Sequence, residues 1–163
     1  MGKKEILQNI LKLTEEYSHY HFEKNDFIEN ISNIPVSGKC IGKEELKNMV
    51  EASLDGWLTT GRFNDEFQKK LSAFLGVKCL LTVNSGSSAN LVAFSTLTSS
   101  KLKERAIKKG DEIITVAASF PTTVNPIIQF GAIPVFLDIK IPTYNIDENL
   151  VEESITSKTK AIM

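Results

Sequence analysis

Apolar residues recur at helical spacing through the first twenty or so positions, where Ile6, Ile10, Leu11 and Leu13 lead into the aromatic cluster Tyr17, Tyr20 and Phe22. This period of three to four predicts an amphipathic helix, read as a packing arm over residues 1–32. Ile34-Pro35-Val36-Ser37-Gly38 reads as an extended entry, and Leu46, Met49 and Val50 give the segment after Gly42 a helical stripe that ends at the turn Asp55-Gly56-Trp57. Beyond Thr59-Thr60-Gly61-Arg62, residues Phe63, Phe67, Leu71 and Phe74 repeat with a helical period up to Gly76 and predict a helix with an aromatic core face.

From Cys79 onward the period alternates between strand and helix. Short apolar runs predict strands over Cys79–Val83, Ile113–Val116 and Ile133–Asp138, and Lys160–Met163 reads as the first half of another. Between them lie helical patterns over Ser88–Leu97, from Phe120-Pro121-Thr122-Thr123 through Val124, Ile127, Ile128 and Phe130 to the stop at Gly131, and over Glu148–Ile155. Strand and helix in alternation specify an α/β fold with a parallel sheet and crossover helices. A half strand at the end of the sequence leads us to expect an N-terminal piece of a longer protein, with an uncovered sheet edge that makes it marginal and prone to associate.

Composition narrows the function classes. The 163 residues are 42% hydrophobic and 24% charged with a formal net charge of -1, which fits a globular domain and gives no cationic excess for a nucleic-acid partner. No apolar run is long enough for a membrane span, so no membrane partner is expected. Cys40 and Cys79 stand far apart with no companion ligands, so neither a metal site nor a disulfide framework is expected, and a reduced, cytoplasmic setting fits. Cys79 reads as a buried small hydrophobe beside Leu80 and Leu81. His19 and His21, the only histidines, have no partner ligands in the pattern and read as surface or packing residues.

The chemistry-bearing stretch is Leu80-Leu81-Thr82-Val83-Asn84-Ser85-Gly86-Ser87-Ser88-Ala89-Asn90-Leu91, an apolar strand passing through a small-residue turn into a helix. A helix start carries unpaired N–H groups and partial positive charge, so a phosphate fits there if small residues let it approach. Gly86 permits that approach, and Ser85, Ser87 and Ser88 add hydroxyls. A serine-capped helix after a strand has the same local pattern, and the residues alone leave both readings open. At the carboxyl ends of the predicted strands this turn joins the loops Ala117–Thr123 and the one after Asp138, a place where open α/β sheets bind ligands. A phosphate on a helix start with an aromatic face nearby suits pyridoxal phosphate; no dinucleotide GxGxxG and no Walker motif is present.

Taken in order, Gly38-Lys39-Cys40-Ile41-Gly42, Gly56-Trp57-Leu58-Thr59-Thr60-Gly61-Arg62, Ser85–Asn90, Gly110–Ile114, Phe120–Thr123, Gly131–Phe136 and Thr143–Asp147 resemble the DegT-like family of nucleotide-sugar aminotransferases and dehydratases. The resemblance covers residues 33–163, and within the family Asp55–Phe63 and Ser85–Asn90 are most similar to the 3-dehydrase branch acting on CDP-4-keto-6-deoxyhexoses in lipopolysaccharide O-antigen synthesis. It implies an aspartate-aminotransferase-like large domain (fold type I) and a homodimer with shared active sites. It also implies pyridoxal or pyridoxamine phosphate as cofactor, a CDP-sugar substrate, and a flavin/iron–sulfur reductase as partner. By the same resemblance Gly86, Ser87 and Ser88 match the phosphate loop and Phe120 the ring-stacking aromatic. Asp138 matches an acidic strand end that holds its loop, and Thr60 and Arg62 match a segment near the sugar nucleotide.

The residue facing the pyridine nitrogen, the Lys (transamination) or His (dehydration) at the cofactor, and the iron–sulfur cysteines are all expected beyond Met163. No catalytic residue is therefore expected within the chain, and the 163 residues alone are expected to be inert. The alternatives are a sugar aminotransferase of the same family and a non-catalytic binding or assembly fragment.

Overall fold

A computed structural model describes residues 1–22 and 27–163. The chain forms two compact units, Met1–Leu81 and Thr82–Met163. The first unit is helical: α1 (Lys3–His21), α2 (Lys43–Leu54) and α3 (Arg62–Leu75). α1 packs on α2, with the Glu15 carboxylate gripped by Lys43 Nζ at 2.6 Å and Lys47 Nζ at 3.3 Å. The start of α2 is fixed locally, because the Gly42 N–H donates to the Glu45 carboxylate at 2.8 Å, three residues on, as in a capping box. His21 stacks on Tyr17 with ring centroids 5.5 Å apart, a packing role as expected.

The aromatic face of α3 differs from the expectation. Phe63 and Leu71 are half-buried, but Phe67 and Phe74 are exposed. Helical periodicity reports which residues share a face, while burial requires a second surface against that face; among the described residues of this unit none covers Phe74.

The second unit contains α4 (Gly86–Leu97), a 3₁₀ turn (Ser100–Arg105), β1 (Glu112–Val116), α5 (Pro121–Gln129), β2 (Ile133–Leu137), α6 (Asn149–Glu153) and β3 (Thr159–Ile162). The three strands form one parallel sheet in the order β2-β1-β3, with Ile114 of β1 opposite both Val135 and Ile162. As the central strand, β1 is covered on both faces, so Ile113, Ile114 and Thr115 are fully buried, as parallel strands require. Ile113 packs with Phe94 of α4, Ile107, Ile127 of α5 and Ala132, and the Phe94 and Phe130 rings lie 5.7 Å apart. Each such large side chain contributes about 1.5–3 kcal/mol by leaving water. The Thr115 hydroxyl is buried without a hydrogen-bond partner among the described residues.

Two further expectations are corrected. Cys79–Val83 is not part of the sheet, and Cys79 and Leu81 are exposed. An apolar run becomes a strand only when a neighbour completes the hydrogen-bond ladder, and none of the three strands pairs with this one. Among the described residues nothing packs over Cys79, which is exposed. Other boundaries move by one or two residues, as where α4 begins at Gly86 instead of Ser88. α5 does end as expected at Gly131, whose φ of +75° suits a residue without Cβ.

α5 carries a proline in its interior, Pro126, which has no N–H to give the Thr122 carbonyl four residues back. That carbonyl instead accepts a hydrogen bond from Asn90 Nδ2 of α4 at 3.3 Å. The polar vacancy in one helix thus becomes the attachment point of the other, next to the turn that starts α4.

Candidate functional site

The turn Asn84–Ser88 is built by its own side chains. Ser85 is the N-cap of α4, with an extended backbone (φ -162°, ψ 162°), and its hydroxyl oxygen accepts the Ser88 N–H at 3.1 Å. The Ser85 hydroxyl also donates to Ser88 Oγ at 3.1 Å, and the Ser88 hydroxyl donates to Asn84 Oδ1 at 2.7 Å. The Ala89 N–H is taken by the Ser85 carbonyl at 3.0 Å. What remains among the described residues is two backbone donors, the N–H groups of Gly86 and Ser87, and the exposed Ser87 hydroxyl. A Cβ added at Gly86 would meet nothing within 4 Å, and Gly86 and Ser87 are both exposed, so the turn is open to an approaching group on that side. Two N–H groups and a hydroxyl at the positive end of a twelve-residue helix form a neutral cradle for an anion.

Ser87 and Ser88 also line a cleft of about 170 Å³ between α4 and α5, together with Leu91, Thr122, Asn125, Pro126 and Gln129. The structure therefore brings Ser87 and Ser88 together with the first turn of α5. Phe120 lies at the N-cap of α5, where its carbonyl accepts the Thr123 N–H at 2.9 Å, and its side chain is 73% exposed. It does not line that cleft. Sequence reasoning gave Ser88 a cofactor contact and overlooked Asn84; the geometry shows the Ser88 hydroxyl engaged with Asn84, a pairing that their spacing across a helix start makes legible in retrospect.

Asp138 holds its loop: its carboxylate accepts the Ile139 N–H at 2.8 Å and its carbonyl accepts the Asp147 N–H at 2.9 Å. The same loop is pinned by Lys140, which meets Glu148 at 2.6 Å and Asp147 at 3.5 Å. Glu148 is thereby held below the usual carboxylate range, chiefly by its hydrogen bond from Lys140.

In the helical unit, Thr60 and Arg62 border a second cleft of about 340 Å³, shared with Asp55, Trp57, Thr59 and Asn64. Gly56, at φ +64°, turns the chain back after α2, and the Trp57 indole N–H donates to the Thr60 carbonyl at 2.8 Å. Arg62 Nε meets Asp55 Oδ2 at 2.8 Å, and its Nη2 meets Glu51 Oε1 at 2.7 Å. Asp55 is held below its ordinary range, first by its hydrogen bond from Arg62. Among the described residues no group of His, Cys, Asp and Glu is placed to hold a metal ion, and no helix is long and apolar enough to cross a membrane.

Comparison with known proteins decides the kinship. Residues 39–163 match the model of the DegT/DnrJ/EryC1/StrS aminotransferase family. The chain belongs to this family. Among curated relatives it is 58% identical over 163 residues to the lipopolysaccharide biosynthesis protein RfbH of Salmonella typhimurium, covering all of this chain and 37% of that protein. It is 39% identical over 154 residues to dTDP-4-dehydro-2,6-dideoxy-D-glucose 3-dehydratase of Saccharopolyspora spinosa, covering 94% of this chain and 33% of that one. The solved structure of the Escherichia coli GDP-4-keto-6-deoxy-D-mannose-3-dehydratase with bound hydrated PLP superposes with a TM-score of 0.71 at 37% identity, over 80% of this chain and 33% of that one. The chain thus spans about a third of the length of the relatives it matches. Its α/β architecture is part of the PLP fold type I that such family members share.

Proposed function

We propose that the chain is the cofactor-phosphate-binding portion of a cytoplasmic, pyridoxamine- or pyridoxal-phosphate-dependent 3-dehydrase acting on a CDP-4-keto-6-deoxyhexose in O-antigen dideoxysugar synthesis. One observation carries the reading: the start of α4 leaves two N–H groups and the Ser87 hydroxyl without a partner among the described residues, at an exposed turn where Gly86 adds no side chain, in a family whose solved relative holds PLP. The donor set fits a phosphate, which accepts several hydrogen bonds and favours a helix N-terminus.

In this reading Gly86 and Ser87 hold the phosphate directly. Ser88 lines the same cleft and, through Asn84, keeps the turn in shape. Phe120, exposed at the head of α5, offers a ring face for stacking. Thr60 and Arg62 belong to the turn that meets the sugar nucleotide. When bound, the cofactor ring supplies the electron sink for loss of the hydroxyl at sugar carbon 3; the residues of this chain anchor and orient it. A homodimer, and a flavin/iron–sulfur reductase that delivers electrons, complete the proposal. Cys40 and Cys79 are both exposed and far apart in sequence, and neither is assigned to an iron–sulfur cluster.

A second reading, a nucleotide-sugar aminotransferase, is favoured by the family description itself. The two separate by mass. The test uses a longer protein in which this chain is joined to the other two thirds of its relatives' length. Loaded with pyridoxamine phosphate, supplied with a chemical reductant and given CDP-4-keto-6-deoxyglucose, a dehydrase returns a sugar lighter by one oxygen atom, and with glutamate as amine donor an aminotransferase returns an amino sugar. An unchanged sugar in both reactions counts against both readings.

A further inference from the structure

Arg62 borders the substrate-side cleft, and a cation there invites the assignment of a contact to the diphosphate of a nucleotide sugar. Its surroundings argue otherwise. The guanidinium is forked onto Asp55, with Nε at 2.8 Å from Oδ2 and Nη2 at 3.2 Å from Oδ1, while Nη2 also reaches Glu51 Oε1 at 2.7 Å. Its carbon lies 4.3 Å from the centroid of the Phe63 ring. One guanidinium thus serves two carboxylates, with Lys3 adding a weaker electrostatic pull on Asp55, so turning Arg62 to a diphosphate takes from both carboxylates the hydrogen bonds that they now receive.

The same bonds span the turn. Glu51 and Asp55 lie in and just after the last turn of α2, and Arg62 is the first residue of α3. Between them Trp57 closes onto the Thr60 carbonyl, and a Cβ on Gly61 would come within 3.1 Å of the Trp57 ring. The span from Asp55 to Arg62 is therefore closed from outside by the guanidinium and from inside by the indole.

We infer that Arg62 is a positioning residue: its fork onto Asp55 and Glu51 fixes the end of α2 to the start of α3, and so sets the place of Thr60 and the Trp57 ring. The inference rests on the substrate-side reading above only for its link to function; the clamp itself is tested without substrate. Trp57 is the sole tryptophan of the chain, so its emission and its quenching by acrylamide report the order of this turn.

In the 163-residue chain, Arg62→Ala and Asp55→Asn are expected to steepen acrylamide quenching of Trp57 and shift its emission to the red. The double variant is expected to go no further than the stronger single one, because both remove the same fork. Arg62→Lys keeps the charge without the bidentate geometry and is expected to fall between wild type and Arg62→Ala; it also carries the test if circular dichroism shows that Arg62→Ala does not fold. With CDP-glucose as the probe ligand, Arg62→Ala and Asp55→Asn are expected to weaken binding together.

Unchanged Trp57 quenching in the folded Arg62 variants overturns the clamp. So does tighter CDP-glucose binding by Asp55→Asn, the result expected if Arg62 held the diphosphate directly and Asp55 merely competed for it. Loosened Trp57 in the variants, with no CDP-glucose binding by any protein including wild type, sustains the clamp and removes the substrate-side reading.

Discussion

Replacing Asn90 by Ala tests whether the missing donor of Pro126 is what ties α4 to α5. In the wild type the Asn90 amide donates to the Thr122 carbonyl at 3.3 Å, a half-buried acceptor that its own helix leaves short because residue 126 is a proline. Removing the amide leaves that carbonyl underserved, at a cost of about 1–2 kcal/mol for a neutral acceptor that water reaches only in part. Pro126→Ala supplies the N–H from within α5, so the same Asn90→Ala change made in that background should cost less than about 0.5 kcal/mol. The coupling energy of the four-protein cycle is then on the order of 1 kcal/mol, above the scatter expected of independent sites. The assay is urea unfolding followed by far-UV circular dichroism, with midpoints compared at equal slope. Additive costs, with Asn90→Ala equally harmful whether or not Pro126→Ala is also present, would refute the argument, because Asn90 would then be acting through something other than the vacancy that the proline creates.

Three other perturbations reach different parts of the account. Ser87→Ala removes an exposed hydroxyl with no internal partner among the described residues, so urea stability should hold while pyridoxamine phosphate binding weakens by about 1–2 kcal/mol, roughly five- to thirtyfold; an unchanged dissociation constant takes Ser87 out of the cradle. Thr115→Val replaces a buried hydroxyl that has no partner among the described residues by a methyl of similar shape and should stabilise the fold by on the order of 1 kcal/mol, read as a higher urea midpoint; a loss of stability would mean that the hydroxyl is satisfied. Glu15 is held below the usual carboxylate range by hydrogen bonds from Lys43 and then Lys47. A carboxylate lowered in the folded state stabilises above its unfolded value and loses that contribution as pH falls through the lowered one, so the stability gap between wild type and Glu15→Gln should be full at neutral pH and close in acid. A gap that widens in acid contradicts this sign.

Much of the fold was legible because its signals are local. Alternation of strand and helix patterns named the parallel sheet, and Gly131 and Gly76 marked helix ends that the backbone confirms at φ +75° and +67°. What escaped depends on neighbours. Phe67 and Phe74 repeat at helical spacing just as core residues do, yet Phe74 is 85% exposed, since periodicity says nothing about what covers a face. Cys79–Val83 has the composition of a strand but no strand to pair with among the described residues. At the site, the serine-rich turn announced a helix start with spare donors, but the sequence does not say which hydroxyls the turn uses on itself. The hydroxyls of Ser85 and Ser88 are both engaged, and that of Ser87 is the one left without a partner among the described residues. Arg62 was legible as a cation beside a turn; its two carboxylates lie seven and eleven residues back, on the far side of that turn at the end of another helix, so the period of no single helix links them. Asn90 and Pro126 read as an ordinary polar residue and a helix breaker, and their connection exists only once α4 lies beside α5.

The central claim is that the start of α4 holds the phosphate of a pyridoxal-type cofactor. Isothermal titration of the protein with pyridoxamine phosphate and, separately, with pyridoxamine tests it directly, because the two ligands differ only in the group that Gly86 and Ser87 are assigned to hold. The account expects pyridoxamine to bind at least about tenfold more weakly, inorganic phosphate to compete with pyridoxamine phosphate, and Ser87→Ala to erase part of the difference. Equal affinity for the two ligands would contradict it.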